Sequence, residues 1–401
     1  MRYLKVLGLI VEYNPFHNGH LHHLQEAGKK TGADLTVAVM SGPFLQRGEP
    51  ALVDKWTRAE TALKAGIDVV IELPYVFAVQ PADRFADGAV SMLEACGVTD
   101  ICFGSENGEI KPFQDAAESI EQHGQQIDQQ VTAHLSAGKS FPRAYNEAVT
   151  EAFQGSIGLD TSKPNNILGL EYVKAIRRRK NVIQAHTIKR IGSSFHDQDP
   201  SSAAIASATA LRKIIFDKHQ PFTNVRPYVP DISFQLLHQK KENLTDWEAY
   251  FPFLKYNLMT AETEELANIY DCSEGLEHRF KKNIHQTKTF GQFIDAVKAK
   301  RYTRTKLQRL AVHTLNRVNK SDIIGWSPGN PAPYIRLLGM NTAGQAHLSA
   351  MKKTMSMPLI TKASAGKHPW FDLDLKASHI ADFVQSSDSL KEYQKKPIII
   401  D

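Results

Sequence analysis

The first half of the chain alternates short, almost continuously apolar runs with longer stretches of helical periodicity. The apolar runs span residues 4–11, 35–40, 67–73, 100–103 and 182–191, and helix-length segments such as residues 54–65 and 83–96 separate them. Apolar strands that alternate with helices are typical of a parallel sheet with helices on both faces. The pattern therefore predicts an α/β fold with a doubly wound parallel sheet, in which ligands bind beyond the carboxyl ends of the strands.

Past about residue 225 the pattern becomes helical. Residues 247–259, 261–270, 274–285, 290–299 and 302–317 have helical periodicity, and only residues 334–338 and 359–361 suggest later strands. We therefore expect two domains, a sheet-containing domain at residues 1–225 and a mostly helical domain at residues 226–401. The final residues, 395–400, fit either a docked strand or a loose tail.

The most informative turn follows the first apolar run. Its sequence, EYNPF at residues 12–16, leads into the first motif, His17-Asn18-Gly19-His20, where an amphipathic helix begins. A strand, a turn and a helix in this order leave unpaired backbone N–H groups at the helix N-terminus, where an anion is stabilised. Both histidines project from one side of the helix start and can hydrogen-bond phosphate oxygens, and Gly19 lets a nucleotide approach the backbone. The first motif therefore predicts a site for nucleotide phosphates.

A metal site built from His20, His22 and His23 is the alternative for this helix. These side chains fan around the helix, and neither a carboxylate nor a cysteine joins them at the spacing of metal ligands. We therefore expect no protein-bound metal here.

A second motif, residues 206–212 with the sequence ASATALR, opens a helix with small hydroxyl residues and an arginine. Ser and Thr at a helix N-terminus most often only cap it. The same geometry offers the hydroxyl groups of Ser207 and Thr209 and the guanidinium group of Arg212 to a polyphosphate. Together with the first motif, the second motif predicts a site for a nucleoside triphosphate.

Lys55 and Arg58 begin a helix after the second apolar run, and two interpretations stay open for them. On the first interpretation, their side chains contact a phosphate or the carboxylate of the substrate. On the second, they are solvated residues at the start of a helix. Lys55 is a candidate catalytic residue on the first interpretation, whereas Glu72 is interpreted as structural.

Basic residues are concentrated between residues 279 and 320, where twelve Lys and Arg face the single acid Asp295, although the net charge of the whole chain is +5. The helical periodicity predicts that Arg301 and Arg309 lie opposite the apolar side of their helix. One-sided positive charge favours a polyanion, so we predict that this region binds nucleic acid. The earlier basic run at residues 177–180 either extends that surface or opposes a helix dipole.

Composition limits the classes of protein that the chain can represent. Its 401 residues are 42% hydrophobic and 23% charged, which is typical of a globular protein with room for two cores. No segment approaches the ~20 consecutive apolar residues that a membrane span needs. The apolar N-terminal run is short and meets Glu12 instead of a small-residue cleavage site, so we expect a core strand and a cytoplasmic protein.

The two motifs resemble the signatures of the nucleotidyltransferase superfamily that shares an HxGH sequence with class I aminoacyl-tRNA synthetases. The second signature, usually written ISSTxIR, is similar to residues 206–212 but departs from it at Ala206 and Ala208. Asn14 stands where an aspartate usually precedes the proline of the first signature. The resemblance implies a Rossmann-like sheet of the nucleotidyltransferase type.

Longer strings narrow the resemblance to one family. They are VEYNPFHNGH at residues 11–20, MSG at 40–42, QRGEP at 46–50, FGSEN at 103–107, KPNNILG at 163–169 and PYIRLLG at 333–339. Together they resemble the bacterial tRNA(Met) cytidine acetate ligase family over nearly the whole chain. This resemblance implies ATP binding by Ile10, Val11, Glu12, Tyr13, Asn14, Pro15, Phe16, His17, Asn18, Gly19, His20, Leu21, His22 and His23, and by Gly104, Asn165, Arg190 and Ile191.

The resemblance also implies an activity. ATP, with Mg²⁺, activates acetate as acetyl-adenylate, and the acetyl group passes to the wobble cytidine of elongator tRNA(Met) to form N4-acetylcytidine. His17 and His20 would stabilise the transferring phosphate, while Ser207, Thr209 and Arg212 would hold the pyrophosphate that leaves. Neither DNA nor a membrane is an expected partner.

Two other functions stay open at this point. A small-molecule nucleotidyltransferase would account for the first half of the chain but not for the basic residues of the helical half. A non-catalytic RNA-binding protein explains the second half but not the histidines of the first motif.

Overall fold

The computed structural model describes residues 4–153, 158–179, 183–191, 205–386 and 391–401. Its strands are β1 (Val6–Val11), β2 (Leu35–Ser41), β3 (Val69–Leu73), β4 (Asp100–Ser105), β5 (Gln184–Lys189), β6 (Ile335–Asn341), β7 (Leu359–Ile360) and β8 (Ile398–Ile400). They form one eight-stranded sheet in the order β5-β4-β1-β2-β3-β6-β7, and β8 also pairs with β6. The five apolar runs of the first half therefore all form strands, as predicted.

Helices cover this sheet and build most of the second half. Those before residue 226 are α1 (Asn18–Thr31), α2 (Lys55–Lys64), α3 (Tyr75–Ala78), α4 (Ala82–Ala95), α5 (Lys111–Gln122), α6 (Gly124–Ser136), α7 (Phe141–Ala152), α8 (Pro164–Arg178) and α9 (Ala208–Phe216). Those after it are α10 (Asp231–Gln239), α11 (Trp247–Thr260), α12 (Thr263–Asn268), α13 (Leu276–Ile284), α14 (Phe290–Val297), α15 (Arg304–Leu315), α16 (Thr342–Met351), α17 (Pro369–Ser386) and α18 (Lys391–Gln394). Within the described ranges, no helix combines the length and the apolar character that crossing a membrane requires.

The parallel part of the sheet reverses its direction of growth at β1. From β1 the chain adds β2 and then β3 on one side, and it returns to add β4 and β5 on the other. The predicted doubly wound sheet is confirmed. In such a sheet the crevice for a ligand lies beyond the carboxyl ends of the strands where the order reverses. The turns after β1 and β4 therefore border the place where a ligand is expected.

The central strands are apolar on both faces because helices cover both sides. On one face of β2, Val37 and Val39 pack into the same core as Phe85 and Val90 of α4. On the other face, Ala38 and Met40 pack with residues of α1 and α2 that include Leu24, Ala27 and Trp56. Alternate residues of a strand point to opposite faces, so a strand covered on both sides is apolar throughout. This explains why the runs look continuous in the sequence.

The second half of the chain completes the sheet of the first. β6 pairs antiparallel with β3, and β7 and β8 pair parallel with β6. The two predicted late strands are therefore present, and the carboxyl-terminal residues form a docked strand. The division into residues 1–225 and 226–401 remains a prediction, but strands from both parts share one sheet.

Lys55 lies in a buried ion cluster at the junction of the two parts. Its exposed fraction is 3%, and its Nζ lies 2.7 Å from Glu72 Oε2 and 3.2 Å from Glu392 Oε1. Arg336 Nη2 donates to the same Glu392 oxygen over 3.1 Å. This position corrects both interpretations of Lys55, since the amine is neither solvated nor free to contact a substrate. Glu72 is structural, as interpreted.

Charge compensation keeps Lys55 and Glu392 ionised, whereas burial raises the pKa of Glu72. Burial opposes the charge of Lys55, but Glu392 and Glu72 outweigh it and raise the pKa of the amine. Burial likewise opposes the charge of Glu392, and Lys55 and Arg336 outweigh it and lower the pKa of that carboxyl group. Since a buried charge is costly without its partner, α18 is an integral part of the fold.

We predict that Glu392→Ala destabilises the protein by about 3–5 kcal/mol, because Lys55 and Arg336 then share one fewer buried anion. Urea denaturation measures the change. The neighbouring Gln394 is exposed, so Gln394→Ala is the control and should change the free energy of unfolding by less than about 0.5 kcal/mol. Equal stability of the two variants would show that the ion cluster does not hold the carboxyl-terminal segment.

Candidate active site at the carboxyl ends of β1 and β4

His17 and His20 close the N-terminus of α1 by a reciprocal pair of hydrogen bonds. His17 is the N-cap residue, and its Nδ1 accepts from the Gly19 backbone N–H over 3.1 Å. The His17 backbone N–H in turn donates to His20 Nδ1 over 3.2 Å. The two rings stack with their centroids 3.7 Å apart. The pair is a capping box in which imidazoles replace the usual hydroxyl and carboxylate groups.

These two hydrogen bonds determine where each imidazole carries its hydrogen. A backbone N–H can only donate, so both Nδ1 atoms are acceptors and the hydrogen of each neutral ring lies on Nε2. Burial, with a contribution from the Arg190 charge, lowers the pKa of His17 to about 4. Burial, with the neighbouring His17, His23 and Arg190, holds the pKa of His20 well below its usual value. At neutral pH each ring is therefore uncharged and has one Nε2–H group left to donate.

Gly19 is required by the position of the His17 ring. A Cβ atom on Gly19 would lie 2.9 Å from His17 Cε1 and 3.1 Å from His17 Nδ1. Any side chain here would displace the ring from its capping position. The glycine of the first motif therefore also preserves the geometry of the histidine before it.

The turn before the first motif is held from inside the protein. Tyr13 and Phe16 are each 2% exposed and pack edge to face with their centroids 4.7 Å apart. Asn14 Oδ1 accepts from the Leu52 backbone N–H over 2.7 Å. Because these side chains lie in the core, what this turn offers to a ligand is chiefly backbone.

The second motif lies directly beside the first, although far from it in sequence. Arg212 Nη1 donates to the backbone oxygen of Asn14 over 2.9 Å. Ser207 is the N-cap of α9, and its Oγ accepts from the Ala210 N–H over 3.2 Å. Thr209 is exposed one turn before Arg212. The fold thus brings the hydroxyl groups and the guanidinium group of the second motif to the carboxyl end of β1.

The turn after β4 and the end of β5 complete the crevice. Asn165, at the start of α8, donates from Nδ2 to Glu106 Oε1 over 2.7 Å and so joins the turn that follows Gly104 at the end of β4. Arg190 passes close to Gly104, because a Cβ on that glycine would lie 3.3 Å from Arg190 Cγ. Ile191 is 48% exposed, and residues 192–194, where the sequence suggested a further strand-end turn, lie outside the described residues. Residues from three strand ends therefore meet near the first motif.

Arg58 has a structural role that its position in the sequence did not reveal. The residue is 2% exposed, and its guanidinium group donates to the backbone oxygens of Glu12, Ser41 and Gly42 over 2.8, 2.9 and 2.7 Å. It therefore joins the ends of β1 and β2 and does not reach a phosphate. Its partners are backbone oxygens distant in sequence, so no local pattern could have identified them.

The basic region differs from the surface that the sequence predicts. Arg309 is 8% exposed, and burial lowers the pKa of its guanidinium group. Arg301 is exposed but lies 2.9 Å from Glu274. Further pairs join Arg304 to Asp295 and Lys306 to Asp271. Glu274 and Asp271 from neighbouring segments and Asp295 from the region itself thus each pair with one of the twelve basic residues, and Arg309 is not part of an exposed face. In the described part of the chain, the exposed lysines of the region without an acidic partner are Lys282, Lys288, Lys298, Lys300 and Lys320, the last of which donates to the Ala267 backbone oxygen.

The earlier arginine run is also neutralised. Arg177 lies 2.9 Å from Glu121, and Arg178 and Arg179 lie 3.4 and 3.1 Å from the buried Asp87. These contacts join α8 to α5 and α4. These three arginines are therefore paired and do not extend a basic surface, and Lys180 lies outside the described residues.

The histidines of α1 do not meet other metal ligands. Among the described residues, no group of three or more His, Cys, Asp or Glu side chains is arranged to hold a metal ion. Burial and the Arg190 charge lower the pKa of His23 to about 4, so this ring is also neutral at pH 7.

Comparison with known proteins decides the family. Residues 4–396 match the family model described as HIGH Nucleotidyl Transferase. The tRNA(Met) cytidine acetate ligase of Geobacillus sp. (strain WCH70) is 49% identical over 379 residues, which cover 94% of this chain and 93% of the relative. The chain belongs to the tRNA(Met) cytidine acetate ligase family. The relative with the same name from Bacillus subtilis (strain 168) is 44% identical and covers 99% of this chain and 98% of its own.

Two solved structures of a Thermotoga maritima protein agree with this family assignment over 99% of the chain. Apo Thermotoga maritima TmcAL is 35% identical with a TM-score of 0.90, and it covers 99% of this chain and 100% of its own. The same Thermotoga protein bound with alpha-thio ATP is 36% identical with a TM-score of 0.89. The chain is thus an enzyme with the fold that its sequence predicts.

The depressed pKa of His17 leads to a prediction about stability. The unfolded chain takes up a proton at His17 near pH 6.5, whereas the folded ligase does so only near pH 4, so the free energy of unfolding falls as the pH decreases between these values. His17→Asn removes the titrating ring but keeps a favoured N-cap residue. Between pH 6.5 and 4.5 the wild type should lose about 1 kcal/mol more per pH unit than the variant. Urea denaturation across this range measures the difference, and parallel losses would contradict the assigned environment of His17.

Proposed function

We propose that this ligase activates acetate with ATP as acetyl-adenylate and transfers the acetyl group to the wobble cytidine of elongator tRNA(Met), forming N4-acetylcytidine. The names of the relatives and the alpha-thio ATP bound to the Thermotoga protein support this proposal. The observation on which it depends most is the capping box, which leaves one Nε2–H on both His17 and His20 next to a helix N-terminus.

ATP would lie across the turn between β1 and α1. The first motif offers donors to the phosphates, and Arg190 adds positive charge within electrostatic reach of His17, His20 and His23. The proposed contacts extend from Ile10 to His23 and include Gly104, Asn165 and Ile191. Mg²⁺ would arrive as the counterion of the ATP phosphates, a role in which the substrate supplies most of the oxygen ligands.

The first step is an in-line displacement at the α-phosphorus. A carboxylate oxygen of acetate forms the new P–O bond, and the bond to pyrophosphate breaks. Neutral imidazoles suit this step because they donate hydrogen bonds to the developing charge without requiring a proton transfer. Ser207, Thr209 and Arg212 would receive the pyrophosphate at the start of α9.

The second step transfers the acetyl group to RNA. The exocyclic amine of cytidine attacks the carbonyl carbon, the C–O bond to phosphate breaks, AMP leaves, and the amine loses one proton. No covalent enzyme intermediate is needed. The target base must leave its stack, which costs least in an anticodon loop, where bases are already unpaired.

We predict that removing either Nε2–H slows the acetate-dependent exchange of pyrophosphate into ATP by about a hundredfold or more. His17→Asn and His20→Gln are suitable variants because Asn is a favoured N-cap and Gln is a favoured residue at the third position of a capping box, so the helix start is retained. Thermal melting and circular dichroism check that both variants fold. Wild-type exchange in folded variants would contradict the role of the imidazoles.

The complete reaction tests the substrates. The enzyme is incubated with ATP, labelled acetate and either total bacterial tRNA or purified elongator tRNA(Met), and the nucleosides are then separated. Labelled N4-acetylcytidine is expected, and its absence despite labelled adenylate would limit the proposal to the first step.

The exposed lysines of the basic region give the prediction for RNA. Lys298 and Lys300 lie between α14 and α15 without an acidic partner among the described residues, so we expect them to contact phosphates. Lys298→Gln with Lys300→Gln should weaken tRNA binding and lower the slope of log affinity against log salt by about two. The control pair Lys352→Gln and Lys353→Gln makes the same charge change at exposed positions after α16. Identical salt series for the two double variants would remove this surface from the proposal.

A further inference from the structure

Arg212 is held by two acceptors that come from different parts of the chain. Nη1 donates to the backbone oxygen of Asn14 in the turn before the first motif, over 2.9 Å. Nη2 donates to Glu49 Oε2 over 2.8 Å. Two acceptors on one planar group fix its orientation, and a guanidinium group has five N–H donors, so donors remain for a ligand.

Glu49 belongs to a loop that is itself tightly held, which we call the connecting loop (residues 43–50, between β2 and α2). Its N-terminal side is fixed by the Gln46 backbone N–H, which donates to Glu12 Oε1 over 2.8 Å. Within the loop, the Leu45 N–H donates to the Glu49 backbone oxygen over 2.9 Å, and Phe44 pairs with Pro50. The backbone that places Glu49 is therefore fixed before any ligand binds.

The other side of the connecting loop rests on the helical half of the chain. Gly48 has a φ of +72°, and a Cβ there would lie 2.2 Å from the Arg309 backbone nitrogen, so only glycine fits between the loop and α15. Trp247 Nε1, at the start of α11, donates to the Gly48 backbone oxygen over 2.8 Å. The position of Glu49 therefore depends on the helical half as well as on the sheet.

The charges of this pair are only partly shielded from solvent. The side chains of Arg212 and Glu49 are 18% and 31% exposed. An ion pair this accessible adds little to stability by itself, with a typical value below about 1 kcal/mol. Its more specific contribution is orientation. Without Glu49 the guanidinium group would keep the Asn14 contact and a long hydrogen bond of 3.5 Å to Thr209 Oγ1, but no charged partner, and the long side chain would adopt more rotamers.

We propose that Glu49 is a positioning residue for the ligase reaction, which holds the Arg212 guanidinium group in the orientation that receives the leaving pyrophosphate. This inference rests on the proposed function, since it assigns the pyrophosphate to Arg212. Glu49 itself contacts no substrate. Through the connecting loop, the same carboxylate makes the pyrophosphate site dependent on correct packing of α11 and α15.

The first test is kinetic. Glu49→Ala should raise the KM for pyrophosphate in acetate-dependent ATP–pyrophosphate exchange by about tenfold, because one charged hydrogen bond that orients Arg212 is lost. The KM for acetate should stay unchanged. Glu49→Gln keeps an acceptor oxygen and should lie between Glu49→Ala and the wild type. The matched control is Glu60→Ala, which removes a carboxylate of similar exposure that lies 2.7 Å from Lys64 on α2, and it should behave as wild type.

A double-mutant cycle distinguishes positioning from a general role in the loop. If Glu49 acts through Arg212, adding Glu49→Ala to Arg212→Ala causes no further loss. Losses that multiply in the double variant, unchanged kinetics in Glu49→Ala, or a lower KM for pyrophosphate would each overturn the proposal. Circular dichroism verifies folding, and Glu49→Gln serves for the cycle if Glu49→Ala does not fold.

A binding measurement separates this inference from the proposed function. Calorimetric titration with pyrophosphate alone needs neither acetate nor tRNA, and Glu49→Ala should weaken that binding by a factor similar to the change in KM. Absence of any acetate-dependent exchange in the wild type would overturn the proposed function, whereas normal pyrophosphate binding by Glu49→Ala would overturn only the role of Glu49.

Discussion

Two hydrogen bonds at the start of α1 control the chemistry that this site can perform. The backbone N–H groups of Gly19 and His17 occupy the Nδ1 atoms of His17 and His20, so the remaining hydrogen of each ring lies on Nε2. Burial and the Arg190 charge keep both rings uncharged. One local arrangement therefore caps the helix, selects the tautomer and leaves two neutral N–H donors beside the helix N-terminus.

The surrounding fold serves to bring other groups to those donors. The sheet reverses its growth at β1, which places the ends of β1 and β4 side by side, and Arg58 joins the ends of β1 and β2 through backbone oxygens. Arg212 reaches the same place from α9. The links made by Arg58 and Arg212 both use a guanidinium group, whose planar arrangement of donors can bridge several acceptors at once. The site is thus assembled from segments that are widely separated along the chain.

Burial by distant segments explains why two expectations about basic residues needed correction. Lys55 looks like a reactive group at a helix start, yet Glu72 and Glu392 enclose it, and the second of these lies near the carboxyl terminus. Arg309 belongs to a strongly basic segment but is buried against the connecting loop. In both cases the sequence shows the charge, whereas the residues that enclose it come from another part of the chain.

Features that depend on neighbouring residues could be predicted from the sequence. Hydrophobic periodicity located the strands and helices, the spacing of His17 and His20 placed both rings on one side of a helix start, and the extended strings identified the family. The partners of Lys55 and Arg212, the burial of Arg309 and the addition of β6, β7 and β8 to the sheet could be learned only from the folded structure. The two groups of features differ in the distance along the chain over which the interactions act. Periodicity and capping involve residues a few positions apart, whereas ion pairs and strand pairing depend on which distant segments the folded chain brings together.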